Sequence, residues 1–151
     1  MREFAHVESI ERRSLRFSLA PREIEKIRVH FVTPTELKGA GGPDFRVFWS
    51  RLRDRISTLR ALYGGGPLRL DFKASAEQAA RVRMTRCELE DVAAERVSRS
   101  TGRRHSLGGF IGMAEYEGAL GEFVPYLEIG QHTGVGRQTV WGKGEIRVET
   151  F

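Results

Sequence analysis

The sequence predicts a single α+β domain in which an antiparallel sheet packs against helices, and two patterns predict this class. At residues 25–33 and 145–149, apolar and polar residues alternate with the period of two that is typical of half-buried strands. Between residues 45 and 63, apolar residues recur at spacings of three and four, which is the period of a helix. The 151 residues, 40% of them hydrophobic, suffice for one sizeable core and leave little room for a second domain.

The chain is predicted to consist of a lead-in segment with a strand, residues 1–22, followed by the domain itself, residues 23–151. Three apolar residues that alternate with polar ones indicate the lead-in strand: Leu15, Phe17 and Leu19. The first strand of the domain, at residues 25–33, is indicated by the same alternation at Ile27, Val29 and Phe31. The step Thr33-Pro34 is expected to end this strand.

The clearest helix is predicted to begin after Asp44, because aspartate caps helix N-termini, and to end at the glycines of residues 64–66. Its apolar residues are Phe45, Phe48, Trp49, Leu52, Ile56, Leu59 and Tyr63. Its opposite side carries a line of arginines, Arg46, Arg53 and Arg60. This line is either a solvated face or a surface that contacts phosphate.

Two short elements are predicted after this helix. Alternating apolar residues indicate a strand near residues 68–72. Ser75 and Gln78 have the spacing of a capping box, in which a serine side chain and a glutamine side chain satisfy backbone amides at a helix start. A brief helix is therefore expected at residues 76–81.

The central part of the chain predicts a hairpin with a basic tip. Residues 82–97 favour one long or broken strand, in which Cys87 is expected to be a small buried residue. Gly102 marks a reversal of the chain, and residues 107–117 predict a second strand. The tip carries Arg103, Arg104 and His105.

The last part of the chain predicts a short helix after Gly118, with Pro125 in its first turn and Gly130 at its end. A glycine-rich loop then leads to the final strand at residues 145–149. From residue 25 onward the order is strand, helix, strand, strand, helix, strand. This is the order of the split βαβ, or ferredoxin-like, fold with an antiparallel sheet.

Composition limits the classes of function. The net charge of +5 and pI near 9.9 come from 25 Lys and Arg, most of them arginine, against 20 Asp and Glu. Guanidinium groups bind phosphates in bidentate fashion, so the excess favours a nucleic-acid partner. No segment predicts a membrane span or signal peptide, and a soluble, cytoplasmic protein is expected. A single cysteine excludes an intramolecular disulfide, and no carboxylates and histidines have ligand spacing, so neither a metal nor another cofactor is expected.

The glycine-rich loop GQHTGVGRQTVWGKG is the most informative segment. Its glycines are Gly130, Gly134, Gly136, Gly142 and Gly144, and its cations include Arg137 and Lys143. One interpretation is a protein backbone that approaches a phosphodiester, with free amides and fixed cations beside it. The other is a tight connection between the last helix and the last strand. A dinucleotide-binding loop is excluded because a helix precedes these glycines and a strand follows, and a Walker loop is excluded because no Ser or Thr follows Lys143.

Beside the backbone at Gly134, Gly136, Gly142 and Gly144, three side chains of this loop are candidates for nucleic-acid contact. Arg137 and Lys143 are the firmest, because cations flanked by glycine are expected near backbone donors and are poorly placed to act as core residues. Trp141 either stacks on an unpaired base or anchors the loop onto the core.

Five segments give a resemblance to a known family. They are the Thr33-Pro34 step, the Leu-Tyr-Gly end of the long helix, the Arg-x-Ser segment at residues 96–98, the strand LGGFIG and the loop GVGRQTVWGKG. In this order they resemble the C-terminal domain of CRISPR repeat-processing endoribonucleases of the repeat-associated mysterious protein (RAMP) superfamily. The resemblance covers most of the chain from about residue 24.

This resemblance implies metal-independent cleavage of a repeat RNA, in which a 2′-hydroxyl attacks the adjacent phosphate and leaves a cyclic phosphate. Such chemistry needs a general base, a general acid and a cation, typically His with Tyr or Lys nearby. Family members usually have two ferredoxin-like domains, with the catalytic histidine commonly in the first. Residues 1–22 are too short for such a domain, so the chain is a fragment, a protein that binds without cutting, or one that receives its histidine from elsewhere.

Within this chain His132 is the candidate catalytic residue, because it lies in the glycine-rich loop near Arg137 and Lys143. The alternative is a loop histidine that hydrogen-bonds RNA or backbone. His105 either binds phosphate with Arg103 and Arg104 or is a solvated turn residue.

Three functions follow. The first is the RNA-binding domain of a repeat-processing endoribonuclease, in which the loop, the basic hairpin and one edge or face of the sheet hold the repeat RNA. The second is a non-catalytic subunit that holds guide RNA and docks onto other CRISPR effector proteins. The third is a structural or assembly protein that self-associates, for example as a homodimer, through its exposed sheet.

Overall fold

A computed structural model describes residues 14, 16–18, 20, 22–37 and 42–151, apart from the side chain of Arg96. Most of the predicted lead-in strand lies outside the described residues, as does most of the turn before the long helix. The elements in chain order are β1 (Lys26–Thr35), α1 (Phe45–Leu62), α2 (Phe72–Ala79), β2 (Arg83–Val92), β3 (Glu95–Val97), β4 (Arg104–Ser106), β5 (Gly109–Glu117), α3 (Val124–Thr133) and β6 (Ile146–Thr150).

The main sheet has four antiparallel strands in the order β2-β5-β1-β6. With α1 after β1 and α3 after β5, this is the predicted ferredoxin-like α+β arrangement. Strands β3 and β4 pair separately and extend the hairpin of β2 and β5. The predicted hairpin is therefore confirmed. At its turn Gly102 has a φ of +65° and its amide donates to the carbonyl of Ser98 at 2.8 Å.

The core lies between one face of the sheet and the two long helices. The apolar stripe of α1 is buried as predicted at Phe45, Phe48, Trp49, Leu52 and Ile56. Burial of each such side chain contributes roughly 1.5–3 kcal/mol. The side chain of Asp44 caps the helix by accepting from the amide of Arg46 at 3.0 Å. The prediction of this helix and its cap is confirmed.

The predicted strand at residues 68–72 is wrong. Asp71 accepts from the amide of Ala74 at 2.9 Å and so caps α2, which begins at Phe72. Ser75 is a buried helical residue that donates to the carbonyl of Phe72 at 3.1 Å. The predicted capping box of Ser75 and Gln78 is also wrong, because the aspartate four residues earlier takes the capping position.

Helix α3 passes the glycine that was expected to end it. Gly130 lies inside the helix, where a Cβ atom would be 2.7 Å from the Cδ1 of Leu52. Gly134, with a φ of +70°, follows the last helical residue, Thr133. His132 therefore lies in the last turn of α3, and its predicted place in the glycine-rich loop is wrong.

Cys87 is exposed, contrary to the expectation of a buried residue. It lies in β2, an edge strand of the sheet, of whose ten residues eight are exposed. Among the described residues, no helix is long and apolar enough to cross a membrane.

Candidate nucleic-acid interface

The glycine-rich loop lies on the end of β1 and is held there by backbone hydrogen bonds. The amide of Arg137 donates to the carbonyl of Glu36 at 3.1 Å, and the amide of Gly144 donates to that of Pro34 at 3.1 Å. The amide of Val135 donates to the carbonyl of Gly144 at 2.9 Å, which closes the loop on itself. These amides are occupied within the protein and do not form the anion-binding nest that the glycine spacing suggested.

Two of the loop glycines are required by contacts within the protein. A Cβ atom on Gly136 would be 2.5 Å from the carbonyl oxygen of Glu36, and one on Gly144 would collide with the carbonyl of Val135. Both glycines also have positive φ, +88° and +77°. Gly142 differs, because its φ is +86° but a Cβ atom there would meet open space. The tight-connection reading thus accounts for Gly136 and Gly144.

Lys143 is buried, with 4% of its surface exposed. Its ammonium group donates to the carbonyl of Gly108 at 2.6 Å, to the Glu36 carboxylate at 3.1 Å and to the Gln138 side chain at 3.1 Å. Three oxygen partners satisfy the amine, so its burial costs little. The expectation that Lys143 is poorly placed to act as a core residue is wrong. It fastens the loop to the start of β5.

Glu36 is the residue that connects the cations of the loop. Its carboxylate accepts from Lys143 and, at 2.8 Å, from Arg137. Burial opposes ionisation of the Glu36 carboxyl, but the hydrogen bonds from Lys143 and Arg137 outweigh this effect and hold its pKa below the usual value. Sequence reasoning missed Glu36, because it is about one hundred residues from its partners and belongs to no motif.

The hairpin and the glycine-rich loop meet at two aromatic rings. The rings of His105 in β4 and Trp141 in the loop lie edge to face, with centroids 5.5 Å apart. Trp141 is 40% exposed and lies outside the hydrophobic core. Trp141 therefore contacts the hairpin. The structure does not support the alternative in which it anchors the loop onto the core.

This junction is basic. Arg99, Arg103 and Arg104 are exposed on the hairpin, and Arg137 is exposed on the loop. A surface pocket of about 650 Å³ is lined by Arg104, His105 and Arg137 together with Glu36 and Asp91. Four of the predicted RNA-binding residues are thus brought to one surface: Arg104, His105, Arg137 and Trp141. Arg103 lies next to them at the start of β4.

His132 is separate from this junction. Its exposed ring lies 5.6 Å from the ring of Phe17, between centroids. It lines a different pocket, of about 290 Å³, together with Gly134, Gly142 and Lys143. This pocket and the one lined by Arg104 and Arg137 have no lining residue in common. Of the two histidines, only His105 is beside the exposed arginines.

The outer face of the sheet has no comparable excess of positive charge. Glu115, 6% exposed, accepts from Arg28 at 2.6 Å and from Lys26 at 3.1 Å. Arg28 and His30 both contact Glu149 as well, at 3.2 and 3.1 Å. Arg86 and Arg147 are more than half exposed and each also has a carboxylate partner, Glu88 at 2.6 Å and Glu145 at 3.7 Å.

Two arginines of the line predicted on α1 have partners within the protein. Arg53 pairs with Asp54 at 2.7 Å and lies 4.2 Å over the ring of Phe72, and Arg60 donates to the carbonyl of Gly65 at 2.9 Å. Within the described ranges, no group of three or more His, Cys, Asp or Glu is arranged to hold a metal ion.

The fold and this surface define a ferredoxin-like domain whose arginines and exposed aromatic ring meet at the junction of a hairpin and a loop, a combination typical of RNA-binding proteins. The sequence model of the family CRISPR-associated endoribonuclease Cas6 matches residues 29–146. The chain therefore belongs to the Cas6 family. No curated protein sequence matches it.

Solved structures with this fold include other Cas6 proteins. Thermus thermophilus Cas6 (TTHB231) is 20% identical with a TM-score of 0.62, and the match covers 85% of this chain and 55% of that one. For a Cas6 (TTHA0078) product complex the identity is 22%, the TM-score 0.56 and the coverage 85% and 52%. A Cas6-RT-Cas1–Cas2 complex is 13% identical with a TM-score of 0.59, covering 85% of this chain and 14% of that one. The chain thus spans about half the length of the first two Cas6 proteins.

Proposed function

We propose that this chain is the RNA-binding half of a CRISPR repeat-processing endoribonuclease, and that repeat RNA binds where the hairpin β3–β4 meets the glycine-rich loop. The observation that carries the proposal is the junction itself. Residues far apart in sequence, Arg104 and His105 on one side and Arg137 and Trp141 on the other, line one surface. Membership of the Cas6 family supports RNA as the ligand.

The charges of this surface are available to phosphates. Within the part of the chain that the structure describes, Arg99 and Arg103 take part in no ion pair. Arg104 pairs with Glu95 at 3.4 Å and Arg137 with Glu36, but both arginine side chains are more than half exposed. Exposed pairs contribute about 0–1 kcal/mol, so an RNA phosphate can replace the carboxylate at little cost.

The proposed reaction is attack of a 2′-hydroxyl on the adjacent phosphorus, with loss of the 5′-oxygen of the next nucleotide and formation of a cyclic phosphate. A general base accepts the 2′-hydroxyl proton and a general acid protonates the leaving oxygen. Arg104 and Arg137 stabilise the charge that builds on the phosphate. His132 and His105 are this chain's candidate proton carriers, and a further histidine would come from the half that the longer relatives have in addition.

A second candidate function is a subunit that holds guide RNA without cutting it. The observation that favours it is that His132 lines a different pocket from Arg104 and Arg137. In this second function the subunit would also dock onto other CRISPR effector proteins. Formation of a homodimer stays a prediction, as does a cytoplasmic location.

The two candidates are distinguished by incubating the chain with labelled repeat RNA from its own array in EDTA, scoring binding and cleavage together. The set comprises wild type, His132→Ala, His105→Ala and Arg104→Ala/Arg137→Ala, with Arg83→Ala as matched control because Arg83 is exposed at the opposite end of β2. Cleavage that one histidine variant abolishes, with binding retained, supports the endoribonuclease. Salt-sensitive binding without cleavage supports the holding subunit. Absence of binding by wild type refutes both.

A further inference from the structure

A second surface pocket lies at the same junction, on the side of the hairpin turn. It has a volume of about 580 Å³ and is lined by Val97, Ser98, Arg99, Ser100, His105 and Trp141. Volumes of several hundred Å³ are typical of sites for small organic groups. His105 lines both this pocket and the neighbouring one that contains Arg104 and Arg137, so the two pockets adjoin.

The walls of this pocket have the chemistry of a nucleobase site. Trp141 is 40% exposed and lines the pocket, and Val97, 56% exposed, adds a second apolar surface. The hydroxyls of Ser98 and Ser100, 3.1 Å apart, offer hydrogen-bond donors and acceptors. Among the side chains that the structure describes, Arg99 is the charged group of the lining and no carboxylate is part of it. Large apolar groups that are exposed together indicate a binding surface.

We propose that this pocket binds one unpaired nucleobase of the RNA, stacked on Trp141 against Val97, while Arg99 binds its phosphate. The inference rests on the proposed function. It specifies that the bound RNA has at least one nucleotide that is not part of an RNA duplex. A base inside a duplex cannot stack on Trp141, because neighbouring bases cover both of its faces. The strand continues into the adjoining pocket, where Arg104 and Arg137 contact the next phosphate.

The geometry of the junction explains how the platform is held. The Trp141 ring is positioned by the edge-to-face contact with His105, and the amide of Trp141 donates to the carbonyl of Gln138 at 2.9 Å. Gln138 in turn accepts from the buried Lys143. The ring therefore lies on a fixed loop and loses little conformational freedom when a base stacks on it.

The test combines variants of the protein with RNA that lacks single bases. Binding of repeat RNA is measured for wild type, Trp141→Ala and Trp141→Phe, with Val140→Ala as control, because Val140 is adjacent and 78% exposed but does not line the pocket. Each protein is also tested against repeat RNAs with one abasic nucleotide at successive positions. If Trp141 stacks on a base, Trp141→Ala should bind roughly tenfold more weakly than wild type. Trp141→Phe, which keeps an aromatic ring, should retain most of the wild-type affinity.

The decisive result is whether the affinity lost through the Trp141→Ala substitution and the affinity lost through one abasic nucleotide come from the same contact. At one RNA position the abasic substitution is expected to weaken wild type roughly tenfold and to leave Trp141→Ala unaffected, since the same contact is removed twice. Fluorescence of Trp141 should be quenched by the intact RNA, and the other tryptophan, Trp49, is buried at 1% exposure and gives a constant background. Salt-sensitive binding in which Trp141→Ala equals Val140→Ala would overturn this inference alone. No binding by wild type would overturn the proposed function with it.

Discussion

The ammonium group of Lys143 lies 2.6 Å from the carbonyl oxygen of Gly108 and 3.1 Å from the Glu36 carboxylate. One buried side chain thus joins the glycine-rich loop, the segment before β5 and the end of β1. Gly108 lies three residues after His105 and Lys143 two residues after Trp141, so this connection lies close to the contact between the two rings. We infer that Lys143 positions the proposed RNA-binding surface.

Replacement of Lys143 by methionine is expected to lower the free energy of unfolding by about 2–3 kcal/mol, because the Gly108 carbonyl and the Glu36 carboxylate each lose a charged donor. Urea denaturation measures the change. The matched control is Arg137→Ala, which removes the other, exposed partner of Glu36 and is expected to cost less than about 1 kcal/mol. Equal unfolding midpoints for the two variants would contradict the positioning role of Lys143.

The loop glycines are expected to differ in their tolerance of a methyl group. Gly142→Ala should cost about 1–2 kcal/mol, the strain of a positive φ alone, because its added Cβ meets open space. Gly136→Ala should cost about 2–5 kcal/mol, because its Cβ also approaches the Glu36 carbonyl to 2.5 Å. Thermal unfolding of the pair tests this order. A Gly142→Ala variant that is the less stable of the two would contradict the packing described for the loop.

The outer face of the sheet predicts sensitivity to acid. Hydrogen bonds from Arg28 and then Lys26 hold the pKa of the Glu115 carboxyl below its usual value of 4.5. A carboxyl with a lowered pKa in the folded state stabilises the protein above the pKa of the unfolded chain, and this contribution is lost as pH falls through the folded-state pKa. Wild type should therefore lose its advantage over Glu115→Gln as the pH is lowered below about 4.5.

Urea denaturation at pH 7 and at successive acid values measures this convergence of wild type and Glu115→Gln. The control is Glu88→Gln, since Glu88 pairs with Arg86 but is 57% exposed, and its effect should be small at every pH. A stability difference between wild type and Glu115→Gln that stays constant from neutral to acid pH would show that the Glu115 charge does not stabilise the sheet.

Elements whose signal is local were predictable from the sequence. Alternation predicted β1 and β6, and helical spacing with Asp44 as cap predicted α1. The prediction that the Thr33-Pro34 step ends β1 was wrong, because the strand continues to Thr35. Predictions went wrong where a tertiary contact overrides a local signal. Gly130 was predicted to end the helix, because glycine is common at helix ends. It lies inside α3 instead, where its lack of a side chain avoids a collision with Leu52 of α1. Asp71 and Ser75 are both good caps, and their sequence order alone does not decide between them.

The candidate site was predictable in composition but not in arrangement. Arg104, His105, Arg137 and Trp141 were identified from residue type and setting, and the structure places them together. The burial of Lys143 was not predictable, because it depends on oxygens of Glu36 and Gly108 that only the folded chain brings within reach. The sequence also did not indicate that His132 and the exposed arginines line different pockets, because pockets form only in the folded chain.

The central claim, that RNA binds at the junction of hairpin and loop, is tested most directly by the salt dependence of repeat-RNA affinity. Wild type, Arg103→Ala/Arg137→Ala and the control Arg83→Ala are titrated at several salt concentrations. If both arginines of the double variant bind phosphates, its slope of log affinity against log salt should be smaller than that of wild type by about 1.4–2. Its affinity should fall, whereas Arg83→Ala should match wild type in both respects. A double variant with the slope and affinity of wild type would contradict the claim.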